Sequence, residues 1–208
     1  MATPLSKLYE YFLLQLDDDV IALIDRTVSE RRFLLYTELA CANFYTCKKD
    51  LTIVNSDFES ASIPDGETEY IFNVSNENPI VELYGKMSGK RYSEGQDYTL
   101  DIKDDTCTLT LMREFDEPLE IDWCTVGEIV SDLDVKELYI LSLGMRQIWL
   151  SPKLLREENL KLMMTDHDFK SNSPANMLDK LIKLKKTCDK EFKTEVTNYS
   201  HRGKKGLN

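Results

Sequence analysis

Two stretches decide how this chain is built: LDVKELYILSLGMRQIWLSPKLLREENLKLMM, residues 133–164, and SPANMLDKLIKLKKTCDKEFKTEVTNYS, residues 173–200. In the first, Asp134 and Glu137 have the spacing of a capping box, in which a cap side chain and the residue three later satisfy each other's backbone amides. A helix is therefore predicted to begin near Val135. Leu138, Leu141, Met145, Ile148 and Trp149 follow at the three-and-four spacing of one buried helical face. Ser151-Pro152 and Ser173-Pro174 each place a capping hydroxyl before a ring whose φ suits the first helical position. Three consecutive helices are predicted over 133–200. The last carries Met177, Leu181, Leu184, Cys188, Phe192, Val196 and Tyr199 over about 25 residues, or about 37 Å, and is predicted to be the longest element.

Working back toward the N-terminus, Thr3-Pro4 repeats the cap-and-proline device. Leu5, Leu8, Tyr9, Phe12, Leu13 and Leu16 then fall on one helical stripe that ends near Asp17-Asp18-Asp19. That acidic run lacks the spaced oxygens and the glycine of a calcium loop and reads as a solvated turn or a helix N-terminus favoured by its dipole. Thr27 and Glu30 form a second capping-box pattern. The helix after it carries Phe33, Ala40, Phe44 and Cys47, with Leu34, Cys41 and Tyr45 on the neighbouring row. So wide an apolar arc is expected between other helices.

From Thr52 the period changes. Residues 55–67 are polar, hold the turn Ile63-Pro64-Asp65-Gly66, and read as the crossing into a second unit. Five stretches of period two follow: Tyr70/Phe72/Val74, Val81/Leu83, Tyr98/Leu100/Ile102, Cys107/Leu109/Leu111 and Leu119/Ile121/Trp123. Their short connections predict antiparallel neighbours. The expected fold class is α+β: a helical bundle of N-terminal helices plus three C-terminal helices, with an inserted antiparallel β-sandwich or small β-barrel. The expected organisation is a discontinuous bundle from 1–54 and 128–200, a β domain at 55–127 and a basic tail at 201–208.

Composition narrows the classes of function. The chain has 208 residues, 42% hydrophobic and 30% charged, within the globular range. No apolar run approaches the 18 or so residues of a membrane span, and MATPLSKLYEY has no basic start followed by an apolar block, so a soluble, unprocessed chain is expected. The five cysteines (Cys41, Cys47, Cys107, Cys124, Cys188) form no C-x-x-C pair and read as buried thiols. Cys41 and Cys47 find no further ligands nearby for zinc. Of the net charge of -11, residues 51–134 carry -15, while residues 151–208 carry +5. An acidic bulk surface does not hold nucleic acid, because phosphate affinity comes from Lys and Arg displacing counterions.

Catalytic patterns are absent: no nucleophile elbow, phosphate loop, dinucleotide fingerprint or H-E-x-x-H. Asp166-His167-Asp168 is the one tempting constellation, but adjacent residues rarely converge on one ion, and it reads as a polar loop. The expectation is a non-enzymatic protein with no cofactor and no metal.

The runs LSKLYEYFLLQLDDDVIALID, ANFYTCKKDL, VKELYILSLGMRQIWLSPKLLREENLKLMMTDHDFKSNSPANMLDKLIKLKK and VTNYSHRGKKG resemble a family of tailed-bacteriophage structural proteins of the head-to-tail connector type. The residues that carry the likeness are Asp168, Phe169, Lys170, Ser173, Ala175, Asn176, Tyr199 and Ser200. In the β segment they are Gly95, Asp97, Tyr98 and Thr99. The resemblance implies a virion protein made in the host cytoplasm, forming a ring of about twelve copies beneath the portal protein, linked to other neck or tail proteins and to no membrane. DNA would pass through without specific binding. Asp168, Phe169, Lys170, Tyr199, Arg202, Lys204 and Lys205 become the candidate assembly residues, with the basic tail as an arm to the adjacent ring. The alternatives are a tail or baseplate subunit, or a carbohydrate- or protein-binding module. Sugar sites usually show exposed aromatic rings; Trp123 falls on the inward-facing register of its strand, and exposure of Trp123 together with Tyr98 would favour the module.

Overall fold

A computed structural model describes residues 2–16, 24–74, 79–103, 105–163 and 174–202; of residues 157–163 and 174–177 only the backbone is described. The chain is α+β. Among the described residues there are four helices, α1 (Leu5–Leu13), α2 (Arg26–Asn43), α3 (Val135–Met163) and α4 (Pro174–His201), and three antiparallel sheets.

The helices share one core, in which α3 is central. Leu5, Leu8 and Phe12 of α1, Phe33 and Ala40 of α2, and Phe192 and Val196 of α4 all pack with Leu138, Leu141 and Met145 of α3. Close approach of α2, α3 and α4 is possible because Gly144 has no side chain: a Cβ there would lie 3.0 Å from Ala40 Cβ and 3.1 Å from Phe192 Cε2. A small sheet ties the chain's entry and exit together. Strand β1 (Thr3–Pro4) pairs with β10 (Glu128–Ile129), which pairs with β2 (Ile53–Val54).

The β unit has two sheets sharing a second core. One has the order β3 (Asp57–Ile63), β9 (Leu119–Thr125), β5 (Ile80–Gly85), β6 (Arg91–Tyr92); the other is β4 (Glu69–Asn73), β8 (Thr106–Leu111), β7 (Tyr98–Lys103). Alternate residues Leu119, Ile121 and Trp123 of β9 face Phe72, Cys107 and Leu109 of the other sheet, with the Phe72 and Trp123 rings 4.6 Å apart. Both sheets are open at their edges, so the barrel alternative is excluded. Of the four connections expected to join neighbours, only that between β7 and β8 does; the stretch expected to join Val81/Leu83 to Tyr98/Leu100/Ile102 instead holds β6, which pairs back on β5. The chain changes sheet between β3 and β4, β4 and β5, β6 and β7, and β8 and β9, because each strand must bury its alternate residues in the shared core.

Five local expectations are corrected. The break at Ser151-Pro152 does not occur: α3 runs through Pro152 for 29 residues and exceeds the 28 of α4. Ser151, expected to cap a new helix, instead donates from Oγ to the carbonyl of Gln147, one turn back. The Thr27/Glu30 box is not formed; Glu82 of β5 supplies the cap, accepting from the backbone N–H of Arg26 at 2.9 Å and from the hydroxyl of Thr27 at 2.5 Å. Thr3, expected to cap α1, lies in β1, where its hydroxyl donates to the carbonyl of Ser131 and accepts from the backbone N–H of Leu133. The polar stretch 55–67 holds β3, an edge strand paired with β9 throughout its length. Nor is α2 enclosed by helices: Leu35 and Leu39 are each about half exposed on its outer face. The box at Asp134 and Glu137, by contrast, closes reciprocally, with bonds of 2.7 and 2.8 Å.

Candidate functional site

Two places collect polar chemistry. The first is the corner where α2 ends, α3 begins and α4 ends. The carboxylate of Glu137, 1% exposed, accepts from the ammonium of Lys49 at 2.6 Å, from the hydroxyl of Tyr199 at 2.6 Å and from the backbone N–H of Asp134 at 2.7 Å. A buried carboxylate is tolerable only with such a set of donors. Burial, and then the bond to Glu137, push the Tyr199 hydroxyl above its ordinary pKa. Outside this knot Arg202 pairs with Asp134 at 3.1 Å. Partial burial raises the Asp134 pKa, but the amides of Glu137 and Lys136 and the nearby cations outweigh it and leave the carboxyl below its ordinary range. The ring of Tyr199 also stands edge-on to Phe44, 5.0 Å between centroids.

Of the candidate assembly residues, the structure brings Tyr199 and Arg202 together at this corner, where both are engaged within the chain. Asp168, Phe169, Lys170, Lys204 and Lys205 lie outside the described residues, as do Asp17-Asp18-Asp19 and Asp166-His167-Asp168. The part of Lys49 was not legible in the sequence, since a lysine 88 positions from its carboxylate leaves no local pattern. Glu137 itself was recognised, as a cap.

The second place is the tip of the β unit, where β3 ends and β9 begins. A cavity of about 440 Å³ opens between the turns 64–68 and 112–118. Its floor is apolar, made by Ile63, Leu111, Phe115 and Leu119. Its rim carries Asp65, Glu67, Glu114 and Glu117, with Arg113 as the only cation among the lining residues. Arg113 is committed elsewhere, to Asp97 at 2.8 Å and over the Phe115 ring at 4.6 Å. Glu117 is also committed, accepting from the amides of Met87 and Ser88 and from the Ser88 and Tyr92 hydroxyls. Asp65, Glu67 and Glu114 are exposed and make no ion pair among the described residues. The sequence shows Ile63-Pro64-Asp65-Gly66 as a turn and no pocket; the signal for one is the apolar residues flanking each turn.

Charge is also concentrated on α4. Lys183, Lys186, Lys190 and Lys193 are exposed along one side of the helix, at steps of three and four. The Trp123 and Tyr98 side chains are buried, at 5% and 3% exposure, so neither offers a platform to a sugar ring. All five cysteines are free thiols; Cys107, Cys124 and Cys188 are buried, and Cys41 and Cys47 are half-buried rather than enclosed. Burial pushes the Cys124 thiol up to about 12, and it is not poised as a nucleophile. No helix among the described residues is long and apolar enough to cross a membrane.

Comparison with protein-family models, with curated proteins and with solved structures found no match to this chain.

Proposed function

We propose that the chain is a non-enzymatic virion structural protein of a tailed bacteriophage, a subunit of the head-to-tail connector or neck. In this reading the helical unit is a bundle that joins copies around the DNA channel between portal and tail, and the paired sheets are a sandwich inserted into it. The supporting observation is the outer face of α2. Leu35 and Leu39, one helical turn apart, are 51% and 52% exposed on a helix whose other side is in the core. An apolar row on a packed helix suits burial against another copy, and a repeated contact between unlike surfaces closes into a ring when its rotation permits. The acidic β unit is compatible with a DNA channel, because a carboxylate surface forms none of the counterion-releasing contacts that retain phosphate.

Mass photometry of the purified protein, alone and with a cognate portal complex, tests the reading. The expected result is one discrete multiple of the 24.1 kDa subunit on the portal. Failure to join the portal at any salt concentration would remove the connector role and favour a tail or baseplate subunit. With Trp123 and Tyr98 buried, the carbohydrate-binding alternative gains no support from these rings.

A further inference from the structure

We infer that the cavity at the tip of the β unit is the receptor for the C-terminal tail of a second copy of this chain. The inference rests on the connector reading for its biological setting, but its chemistry stands on the two surfaces. The pocket has an apolar floor and an acidic rim, with its one arginine already paired. The tail after Arg202 reads Gly-Lys-Lys-Gly-Leu-Asn. Lys204 and Lys205 match the uncommitted carboxylates of Asp65, Glu67 and Glu114, and Leu207 matches the floor formed by Leu111, Phe115 and Leu119. A cavity of about 440 Å³ is within the range that holds a few side chains.

Reach decides that the tail must come from another copy. The N-terminus of α2 is fixed at Glu82, which lies opposite Asp122 in the sheet. Farther along the helix, the Arg31 guanidinium stands over the ring of Phe58, opposite Cys124, and Leu34 comes beside Val126. Helix α2 therefore runs the same way as β9, away from the tip. Its far end, 18 residues on, carries Phe44 against Tyr199, just before the tail. The helix length and the strand from Asp122 to Leu119 add to about 35 Å between the tail's root and its own pocket. Six residues beyond Arg202 span at most about 22 Å. Docking in trans joins the tail of one copy to the tip of the next, a contact between unlike surfaces that can propagate around a ring.

The test places a photo-crosslinking amino acid at Leu207 of the full chain and mixes ordinary with heavy-isotope protein, free at high concentration and on the portal. Mixed-isotope crosslinks into residues 63–69 or 111–117 are expected. The double variant Glu67→Lys/Glu114→Lys should cut their yield about tenfold, and Lys204→Glu/Lys205→Glu should restore it in that background. Crosslinks within one copy, crosslinks to another surface, or none in either setting would overturn the inference. Portal binding separates the two readings: a chain that joins the portal without the crosslink refutes only the tail docking. A chain that crosslinks at the tip yet ignores the portal refutes only the connector role.

Discussion

Glu82 holds the hydroxyl of Thr27 at 2.5 Å and the backbone N–H of Arg26 at 2.9 Å, so a strand of one unit caps the helix of the other. The helix N-terminus is where a carboxylate is most favourable, because the exposed amides and the dipole both favour negative charge. Glu82→Ala should therefore cost about 1 kcal/mol in urea denaturation. A double-mutant cycle with Thr27→Val should show coupling; strict additivity of the two losses would mean that the bond between the Thr27 hydroxyl and Glu82 contributes nothing.

Gly144→Ala should destabilise by about 1 to 3 kcal/mol, since the new methyl would press on Ala40 and on the Phe192 ring. Phe192→Leu in the same chain should recover part of that loss. A Gly144→Ala variant with an unchanged unfolding midpoint would show that the helices separate without cost.

At the Glu137 knot, Lys49→Met leaves a buried carboxylate without its cation and should cost about 2 kcal/mol. Tyr199→Phe removes a single donor and should cost about 1 kcal/mol. In a Glu137→Gln background the Lys49→Met loss should shrink by more than half, as thermal or urea unfolding would reveal. An undiminished loss would assign the effect to Lys49 alone.

Asp122 gives the pH prediction. Burial first, and then repulsion from Glu82 and Glu120, raise its carboxyl above the ordinary value of 3.8, despite a hydrogen bond from Tyr84 that lowers it. The folded state therefore holds this proton more tightly than the unfolded state, and stability falls as pH rises from the ordinary value through the raised one. Above that window the penalty is complete. Asp122→Asn should raise the urea midpoint at pH 7, and the advantage should fade as the pH approaches 3. A gain independent of pH would exclude the carboxyl as its source.

Sequence patterns revealed most where the deciding contacts are local. The Asp134/Glu137 box, the stripe of α1 at Leu5, Leu8 and Phe12, and the alternation of β9 each follow from neighbours a few residues apart. One stripe member departs: Leu13 is 41% exposed, at the end of α1. What escaped was set at long range. Strand β3, with Glu59, Ser60 and Ser62 exposed, is too polar to announce itself and exists because β9 supplies its hydrogen bonds. Pro152 looked like a start because local preference allows one; α3 continues through it, with Leu150 buried just before the ring. The pocket at the tip joins two turns almost 50 residues apart, and no window of sequence contains both.

The helical core draws on α1 and α2 before the β unit and on α3 and α4 after it, whereas the β unit lies wholly between residues 57 and 125. On the ribosome this order imposes a wait. Leu8, Phe12 and Phe33 emerge early, but their partners Leu138, Leu141 and Phe192 follow more than 100 residues later, while the two sheets can close as soon as β9 is out. At about 5–20 residues per second the N-terminal helices stay uncovered for several seconds. The nascent chain is then a folded β unit joined to two helices whose faces toward α3 are uncovered. Chains stalled at residue 160 should accordingly resist protease across the β unit while being cut within α2, and release of the full chain should seal both together.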